Sequence, residues 1–372
     1  MEYIMLKDVC AINMGQSPDS SSYNDDGNGL PFFQGNADFG ERYPVTRKWC
    51  SVPTKIAKPE DILISVRAPI GALNYAREKC CIGRGLAALT PDKSKVSPEF
   101  IFWLLKAKNI ELNNKGTGST FKAIGRNVLE ETQVPNVPLT VQLEYSQVLE
   151  RIYAIIQSRK MQLQKLDNLV KARFVELFGT ISEVVPLSYY ITGLNAGKSL
   201  AGEEENPNKV LKTGAVSYDY FDATQIKNLP IDYEPQESHH VKTGDVIISR
   251  MNTAELVGAT AYVWSVPEHI YLPDRLWRAD VKETANPIFV WQVLIQNSTK
   301  ESIRRIASGT SGSMKNISKS GLLEINVVKA PINLQDQFAI FVEQTVKSKA
   351  VIQKALDETQ LLFNSVMQEY FG

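Results

Sequence analysis

The chain contains two copies of one pattern, offset by 193 residues. Gly116–Ile124 (GTGSTFKAI) matches Gly309–Ile317 (GTSGSMKNI), and the same offset carries Gln142 onto Gln335. From the glycine-rich segment onward the two copies align without a gap, whereas the segments before it align only in patches. A repeat of this kind predicts two similar folded units, each with a constant part and a divergent part.

The composition is that of a folded protein of more than one domain with balanced charge. The chain has 372 residues, of which 43% are hydrophobic. Its 41 basic residues match 41 acidic ones, which argues against nonspecific coating of nucleic acid but allows a local basic face. Four cysteines without CxxC spacing, no signal-peptide pattern and no long apolar run predict a cytoplasmic protein with free thiols, no metal site and no membrane span.

Two stretches without proline or glycine, residues 139–178 and 332–371, predict long helices. Each begins after a proline and ends before a glycine, as helix start and stop signals require. Apolar residues step by alternating four and three, the heptad pattern of a coiled coil, although Arg159 and Lys349 interrupt it. We predict an antiparallel helix pair; the alternative is that each helix packs only on its own neighbouring domain. The predicted seam consists of Leu149, Ile152, Ile156, Leu163, Leu166 and Val170 in the first helix and Val342, Ile352, Leu356 and Phe363 in the second.

The segments before the two helices are predicted to be mixed α/β heads. Each has a strand-like run, DILIS at 61–65 and DVIIS at 245–249, and an apolar helix opened by a capping residue and a proline. The predicted fold class is α+β, with two heads in a pseudo-twofold repeat joined by an antiparallel coiled coil. At about 1.5 Å per helical residue the helices would form a rod of roughly 57 Å with a head at each end. The predicted boundaries are 1–138 and 180–331 for the heads and 139–179 and 332–372 for the helices.

Several fragments resemble catalytic motifs, but each lacks a residue or a spacing that the chemistry of its motif requires. Gly193–Ser199 (GLNAGKS) has three residues, not four, between the glycines of a phosphate-binding loop. Asn286–Phe289 (NPIF) lacks the second proline of the tetrapeptide that grips a flipped adenine in amino-methyltransferases, and it is interpreted as a helix cap. Asp274 and Asp280 are too close in sequence for the two strands of a nuclease metal site, and the histidines at 239–240 are interpreted as solvated surface. We predict no catalytic, cofactor-binding or metal-binding residue.

Two glycine-rich loops and a set of basic and amide side chains are the candidate binding residues. The loops combine backbone amides, hydroxyls and a lysine at the same place in both copies, which suits a phosphate, although an ordinary connecting loop is the alternative. Arg, Lys, Asn and Gln read base edges, while surface or packing roles are the alternative for each residue. The predicted DNA-binding residues are Gln34, Asn36, Arg67, Arg84, Thr117, Ser119, Lys122, Lys212, Tyr218, Arg250, Asn252, Arg275, Thr310, Ser313 and Lys315, with Arg42, Arg47, Lys48 and Arg278 as further candidates.

The order head, helix, head, helix resembles that of the specificity subunits of type I restriction–modification systems. In the first copy the resemblance rests on LKDVCAINMGQSP, PFFQGNADFG, DILISVRAPIG, GTGSTFKAI and PLTVQLEYSQVLERI. In the second copy it rests on VLKTGAVSYDYFD, GDVIISR, GTSGSMKNI and PINLQDQFAIFVEQ. No single motif is specific, whereas the four-part order with its ungapped repeat is.

The resemblance implies that each head is a target recognition domain that reads one half of a split DNA sequence, and that the coiled coil sets the spacer. It implies three partners: double-stranded DNA, methyltransferase subunits, expected as two copies, that use S-adenosylmethionine, and a motor–endonuclease subunit that uses ATP and Mg. The chain itself would hold no cofactor and would not be an enzyme. Two other hypotheses stay open, a protein–protein scaffold with two docking heads on a helical ruler and a nuclease acting through Asp274 and Asp280.

Overall fold

The computed structural model describes residues 2–118, 122–309 and 314–372, and the chain forms two compact units. The first unit comprises residues 1–161 and 353–372, and the second unit comprises residues 162–352. Both divisions fall inside the long helices, so each unit contains one head and a segment of each long helix. The finer division of the chain into four segments stays a prediction.

The first head is built from short strands and short helices. Its strands are β1 (Tyr3–Met5), β2 (Cys10–Met14), β3 (Tyr23–Asn24), β4 (Leu30–Phe33), β5 (Trp49–Cys50), β6 (Ile56–Ala57), β7 (Ile62–Ser65), β8 (Leu73–Tyr75), β9 (Cys80–Ile82), β10 (Leu86–Pro91) and β11 (Gln133–Pro135). Its helices are α1 (Leu6–Val9), α2 (Pro98–Ala107), α3 (Asn109–Asn114) and α4 (Arg126–Glu130), followed by the first long helix, α5 (Leu139–Phe178). Single 3₁₀ turns occur at Ser20–Ser22 and Asn36–Asp38.

Two sheets organise the first head. An antiparallel sheet has the strand order β2-β10-β7-β8, and a second sheet has the order β3-β5-β4-β9-β6, in which β4 and β9 run parallel. All of β7 is buried, which explains why its sequence is a continuous apolar run rather than an alternating one. The strand predicted at DILIS is therefore a central strand, and its two ends position the loops on either side.

The second head repeats this topology. Its strands are β12 (Val184–Pro186), β13 (Ile191–Asn195), β14 (Lys209–Leu211), β15 (Ile226–Asn228), β16 (Val246–Ser249), β17 (Met251–Asn252), β18 (Thr260–Tyr262), β19 (Ile270–Tyr271), β20 (Leu276–Val281), β21 (Lys315–Asn316) and β22 (Asn326–Val328). Its helices are α6 (Pro287–Leu294), α7 (Asn297–Ile306) and α8 (Lys319–Leu323), followed by the second long helix, α9 (Ile332–Phe371), with 3₁₀ turns at Leu187–Tyr189, Thr213–Val216 and Glu237–His239.

The four-stranded sheets of the two heads correspond strand for strand, whereas the other sheet has five strands in the first head and three in the second among the described residues. The order β13-β20-β16-β18 in the second head matches β2-β10-β7-β8 in the first, and β14 runs parallel to β19 as β4 runs parallel to β9. The ribbon β12-β22 likewise matches β1-β11. The sequences of the two heads are thus similar only in patches, yet their four-stranded sheets share one topology.

Helices α2 and α6 begin as their sequences predict. Ser97 and Asn286 each accept a hydrogen bond from a backbone amide of the first turn, at 3.3 Å and 3.0 Å, and each is followed by proline. The interpretation of the NPIF fragment as a helix cap is confirmed. Most of both helices is buried, because they are enclosed between the sheets and the long helices of their own unit.

In the first unit the segments of α5 and α9 run antiparallel. Tyr145 stacks on Tyr370 with ring centroids 3.7 Å apart, and further along α5 Tyr153 lies 6.4 Å from Phe363. Arg159, which interrupts the heptad pattern, donates to a backbone carbonyl and a threonine hydroxyl of α9. A charged residue at a seam position is thus supplied with acceptors instead of being left unpaired.

The same antiparallel arrangement occurs in the second unit. Phe174 packs edge-on against Phe338 with centroids 5.6 Å apart, and closer to the middle of both helices Asp167 binds Lys349. Lys349 is the second residue that interrupts the heptad pattern, and it too has a polar partner. The α+β fold and the pairing of the two long helices are therefore confirmed.

The predicted seam residues differ in burial along the helices. Six of the predicted seam residues are buried, namely Leu149, Ile152, Ile156, Val342, Leu356 and Phe363. The others are half-buried, namely Leu163, Leu166, Val170 and Ile352.

In each head one buried glutamine links the head to the long helix that follows it. Gln142 accepts a hydrogen bond from the Ser97 amide, and Gln335 accepts one from the Asn286 amide, both at 2.9 Å. Each also donates to a carbonyl that precedes its own long helix, at 2.9 Å and 2.8 Å. The glutamine that the repeat places identically in both copies therefore joins the start of a head helix to the start of a long helix.

No helix within the described residues is long and apolar enough to cross a membrane.

Candidate nucleic-acid interface

An open cleft of about 640 Å³ in the first head brings together side chains from separate segments of the chain. Its lining includes four predicted DNA-binding residues, Gln34, Asn36, Arg67 and Arg84, together with Arg47 and Lys48. These residues lie up to 50 positions apart in the sequence, so the cleft exists only in the folded head.

The ends of β4, β7 and β9 position these side chains. Gln34 directly follows β4, Arg67 lies just beyond β7, and Arg84 lies in the short turn after β9. The Gly85 amide donates to the Gln34 carbonyl at 3.1 Å, and the Val66 amide donates to the Gly85 carbonyl at 2.9 Å. A Cβ atom on Gly85 would lie 2.4 Å from the Gln34 carbonyl oxygen, so only glycine allows these strand ends to come together.

The cleft is positively charged. Arg47, Lys48, Arg67 and Arg84 are exposed, and none of them forms an ion pair with a described residue. Asp38 is the one carboxylate among the described lining residues, and it already accepts two backbone amides at 2.7 Å and 3.3 Å. Cations concentrated in a concave surface attract an anion, and the two amide side chains add donors and acceptors for base edges.

The first glycine-rich loop adjoins this cleft. Arg67 forms a β-bridge with Ala123, and the amide that follows Arg67 donates to the Lys122 carbonyl at 3.0 Å. Thr117 and Ala123 exchange two backbone hydrogen bonds of 3.0 Å and 2.8 Å, which close the base of the loop. Thr117 and Lys122 are exposed, whereas Ser119 lies outside the described residues.

The second head brings four predicted residues together at the equivalent place. Arg250 directly follows β16, as Arg67 follows β7 after one residue. The Arg250 amide donates to the Arg275 carbonyl at 3.1 Å, and Asn252 pairs with Lys315 across the ribbon β17-β21. The Lys315 ammonium donates to the carbonyl at position 309 at 2.8 Å. Two further predicted residues of this loop, Thr310 and Ser313, lie outside the described residues.

A buried polar cluster lies beside Arg250. The Arg250 guanidinium lies 5.6 Å from the centroid of the Trp277 ring. The Nε of Arg250, the Nε1 of Trp277 and the Oδ1 of Asn316 are buried without a hydrogen-bond partner among the described residues. Buried polar atoms are normally paired, so this cluster has spare donors and an acceptor next to the predicted binding residues.

Lys212 and Tyr218 lie in the segment that follows β14. Lys212 directly follows β14, as Gln34 follows β4, and Tyr218 comes shortly after the 3₁₀ turn Thr213–Val216. Both side chains are exposed. The described contacts do not join either side chain to the group around Arg250.

Two of the further candidates have structural roles instead. Arg42 makes a bidentate ion pair with Glu150 of α5, with N–O distances of 3.0 Å and 2.6 Å, and its guanidinium lies over the Tyr75 ring. Arg278 donates to two backbone carbonyls at 3.1 Å and 3.0 Å. Both partners are distant in sequence, and for this reason the sequence alone suggested free arginines. These contacts agree with the packing alternative for Arg42 and Arg278, and base reading by either residue stays a prediction.

The fragments that imitate catalytic motifs make structural contacts in the second head. The GLNAGKS fragment covers the end of β13 and the loop after it, and no helix follows in residues 196–208, which are all described. A Cβ on Gly197 would lie 1.9 Å from a carbonyl oxygen of the neighbouring loop, so this glycine serves a close backbone contact. Asp274 precedes β20 and binds Ser199, whereas Asp280 lies within that strand, four residues or about 13 Å beyond its first residue. The carboxylates do not converge, and the described residues include no cluster suited to a metal ion.

The histidine pair is less exposed than expected. His239 and His240 are both half-buried, because the turn that carries them packs against β19 and β20. Burial, followed by the charges of Arg278 and Lys198, lowers the pKa of His239 below its usual range. The interpretation of these residues as solvated surface was wrong.

Three exposed residues of the second head were not predicted from the sequence. Arg304 and Arg305 form the exposed basic end of α7, directly before the second glycine-rich loop, and Tyr220 is an exposed aromatic two residues after Tyr218. For Arg304 and Arg305 the sequence did contain a signal, an amphipathic helix pattern. NSTKESIRRI places charged residues on one helical face and two apolar isoleucines on the other.

Comparison with known proteins supports the resemblance. The family model described as type I restriction modification DNA specificity domain matches residues 1–168. The putative type I restriction enzyme MjaX specificity subunit of Methanocaldococcus jannaschii is 42% identical over 160 residues, which cover 43% of this chain and 38% of that protein. The chain is thus similar to type I specificity subunits, as its sequence predicted, although the matches span less than half the length of the curated relatives.

A solved structure shares the fold over the whole chain. The crystal structure of the S subunit of a type I restriction-modification system from M. genitalium is 14% identical, has a TM-score of 0.62, and covers 100% of this chain and 96% of that one. The α+β architecture with two heads and two long helices is therefore that of a known S subunit.

Proposed function

From the match of residues 1–168 to the type I restriction modification DNA specificity domain, we propose that this chain is the DNA-recognition subunit of a type I restriction–modification complex. The observation that carries the proposal is the cleft of the first head, where four exposed cations without an ion pair to any described residue and two amide side chains line one concave surface. Such a surface suits a polyanion whose bases offer hydrogen-bonding edges.

Each head reads one half of a split DNA target. In the first head the cations at the strand ends neutralise phosphates and fix the register, while Gln34 and Asn36 reach base edges. In the second head Arg250, Asn252, Arg275 and Lys315 hold the equivalent place. The shared topology of the heads supports this division, because it gives the two half-sites one mode of reading with different side chains.

The two long helices set the spacer between the half-sites and dock the partner subunits. Two methyltransferase subunits would use S-adenosylmethionine to methylate adenines, and a motor–endonuclease subunit would use ATP and Mg to cut unmodified DNA. This chain would determine which DNA sequence is bound, and its partners would catalyse methylation and cleavage. The lack of converging carboxylates at Asp274 and Asp280 agrees with this division of labour.

The test is an adenine-methylation map of DNA from cells that express this chain with its methyltransferase subunit. A split motif, methylated on both strands and lost on deletion of this gene, is the expected result. No methylation together with heads that bind other proteins would favour the scaffold hypothesis.

A matched pair of variants makes the test specific. Arg67→Ala with Arg84→Ala should abolish methylation and reduce the steepness of the salt dependence of DNA binding by about one for each lost phosphate contact. Arg77→Ala with Lys79→Ala removes two exposed cations of the same head outside the cleft and should change neither. Equal effects of the two variants would contradict the assignment of the cleft.

A further inference from the structure

Two tyrosines project side by side from the second head. Tyr218 is 72% exposed and Tyr220 is 56% exposed. Their rings are nearly parallel, with an interplanar angle of 17° and centroids 6.4 Å apart. The two rings are therefore close, nearly parallel and largely exposed to solvent. Tyrosine combines a large apolar ring with a polar tip and suits a surface that becomes covered by a partner.

The turn between the two rings is held rigidly. Asp219 has a left-handed backbone conformation, with φ at 63°, and its carboxylate accepts the Thr260 amide at 3.1 Å and binds the Lys300 ammonium. Phe221, which follows the pair, packs into the core beneath. The rings are thus ordered before any partner arrives, which lowers the entropy that binding would otherwise cost.

Helix α7, which contacts the turn between the tyrosines through Lys300, carries further basic side chains. Lys300 of α7 forms an ion pair with Asp219, and Arg304 lies one helical turn further along the same face of α7. Arg304 and Arg305 are exposed, and neither forms an ion pair with a described residue. Arg304 donates one hydrogen bond to the Glu255 carbonyl at 3.2 Å, and neither arginine has a carboxylate partner among the described residues. Aromatic rings beside such arginines fit a polyanion that carries flat rings.

The pair directly follows a strand and a turn that correspond to those lining the cleft of the first head. In the first head β4 leads through Gln34 into the 3₁₀ turn Asn36–Asp38, and this unit lines the cleft. In the second head β14 leads through Lys212 into the 3₁₀ turn Thr213–Val216, and the tyrosines follow. The same strand and turn thus carry amide side chains in one head and aromatic rings in the other.

We propose that Tyr218 and Tyr220 form an aromatic wedge that stacks on bases of the DNA half-site bound by the second head, while Arg304 and Arg305 contact the flanking phosphates. This inference rests on the proposed function. It adds that the second head supplements the contacts of Arg250, Asn252 and Lys315 with base stacking. Such stacking is most favourable where a base step unstacks easily.

The experiment measures the affinity of the full chain, in complex with its methyltransferase subunits, for a duplex that carries the mapped motif. Tyr218→Ala and Tyr220→Ala should each raise the Kd by roughly 5- to 100-fold and leave its salt dependence unchanged, since stacking releases no counterions. Tyr218→Phe and Tyr220→Phe should bind as the wild type does. Tyr218→Leu should weaken binding as the alanine does, because it keeps bulk and loses the aromatic face.

Two controls separate the possible outcomes. Tyr189→Ala removes a ring of the second head that is 47% exposed but lies elsewhere, and it should not alter the Kd. Arg304→Ala with Arg305→Ala should reduce the salt dependence, unlike the tyrosine variants. A Tyr218→Ala, Tyr220→Ala double variant that binds within two-fold of wild type overturns the wedge while the proposed function stands. Loss of the methyltransferase subunits with unchanged DNA affinity would assign the rings to a protein partner instead. A wild-type complex that binds no duplex overturns both proposals.

Discussion

Replacing the buried Gln142 should loosen the contact between α2 and the start of α5. Gln142 is 2% exposed, and its side chain makes three hydrogen bonds, to the Ser97 amide at 2.9 Å, the Lys95 carbonyl at 3.2 Å and the Val137 carbonyl at 2.9 Å. Gln142→Met keeps the length of the side chain and removes all three bonds. The variant therefore tests the polar contacts without opening a large cavity.

The expected cost follows from these bonds. An orphaned buried amide costs about 1–3 kcal/mol, and each lost bond to a carbonyl costs about 1 kcal/mol, which gives about 3–5 kcal/mol of unfolding free energy for Gln142→Met. Gln335 makes one bond to the Asn286 amide and one to the Ala330 carbonyl, so Gln335→Met should cost about 2–4 kcal/mol by the same reasoning.

The assay is hydrogen exchange of the intact chain, supported by urea unfolding. Gln142→Met should speed exchange in residues 97–107 of the first unit and leave 286–294 unchanged, whereas Gln335→Met should do the reverse. Gln147→Met, on the exposed face of the same α5 turn, is the matched control and should change neither. If Gln142→Met altered unfolding by less than about 0.5 kcal/mol and left exchange at residues 97–107 unchanged, the reasoning from buried bonds would be refuted.

Three further predictions concern the protonation of one lysine and the roles of the heads and helices. Burial, followed by the charge of Arg42, lowers the pKa of Lys106 from 10.5 to about 8. The unfolded chain therefore holds this proton to higher pH than the folded one, so the unfolding free energy of wild type relative to that of Lys106→Met should rise by about 1–3 kcal/mol between pH of about 8 and 10.5. Urea unfolding of both proteins across this range measures the difference and cancels the contribution of the buried thiols. Exchanging residues 180–331 for the second head of another specificity subunit should change one half of the methylated motif, and a change in both halves would contradict independent reading. Inserting one heptad into each long helix should lengthen the mapped spacer and keep both half-sites, and an unchanged spacer would remove the ruler role from the helices.

Local signals in the sequence were sufficient for the long helices and for the central strand of each head. Both stretches lack proline and glycine, and the first is bounded by Pro138 and Gly179, so the limits of α5 follow from chain chemistry alone. The apolar run in β7 likewise indicates a strand covered on both faces. These features depend only on residues that are close together in the sequence, so the sequence alone predicts them.

The sites depended on contacts that no local pattern reveals. Arg42 and Arg67 look alike in the sequence, yet Arg42 is held by Glu150, 108 residues away, and Arg67 is free of ion pairs to described residues. The cleft itself requires Gly85 to touch the Gln34 carbonyl, a contact between separate strand ends. Which arginine faces a ligand is therefore a property of tertiary pairing, and only the grouping of candidates into heads could be predicted.

The division of the chain into units has a consequence for the order in which they are completed. The second unit is continuous in sequence, from 162 to 352, whereas the first unit is closed by residues 353–372 after an interval of 191 residues. On a ribosome the second unit can finish folding while the first still lacks its final helical segment. Until then the partners of Phe371 and Phe363, including Phe100 and Trp103 of α2, remain uncovered. The head that is synthesised first is thus the last to be completed, and its apolar helix is the surface most in need of protection during synthesis.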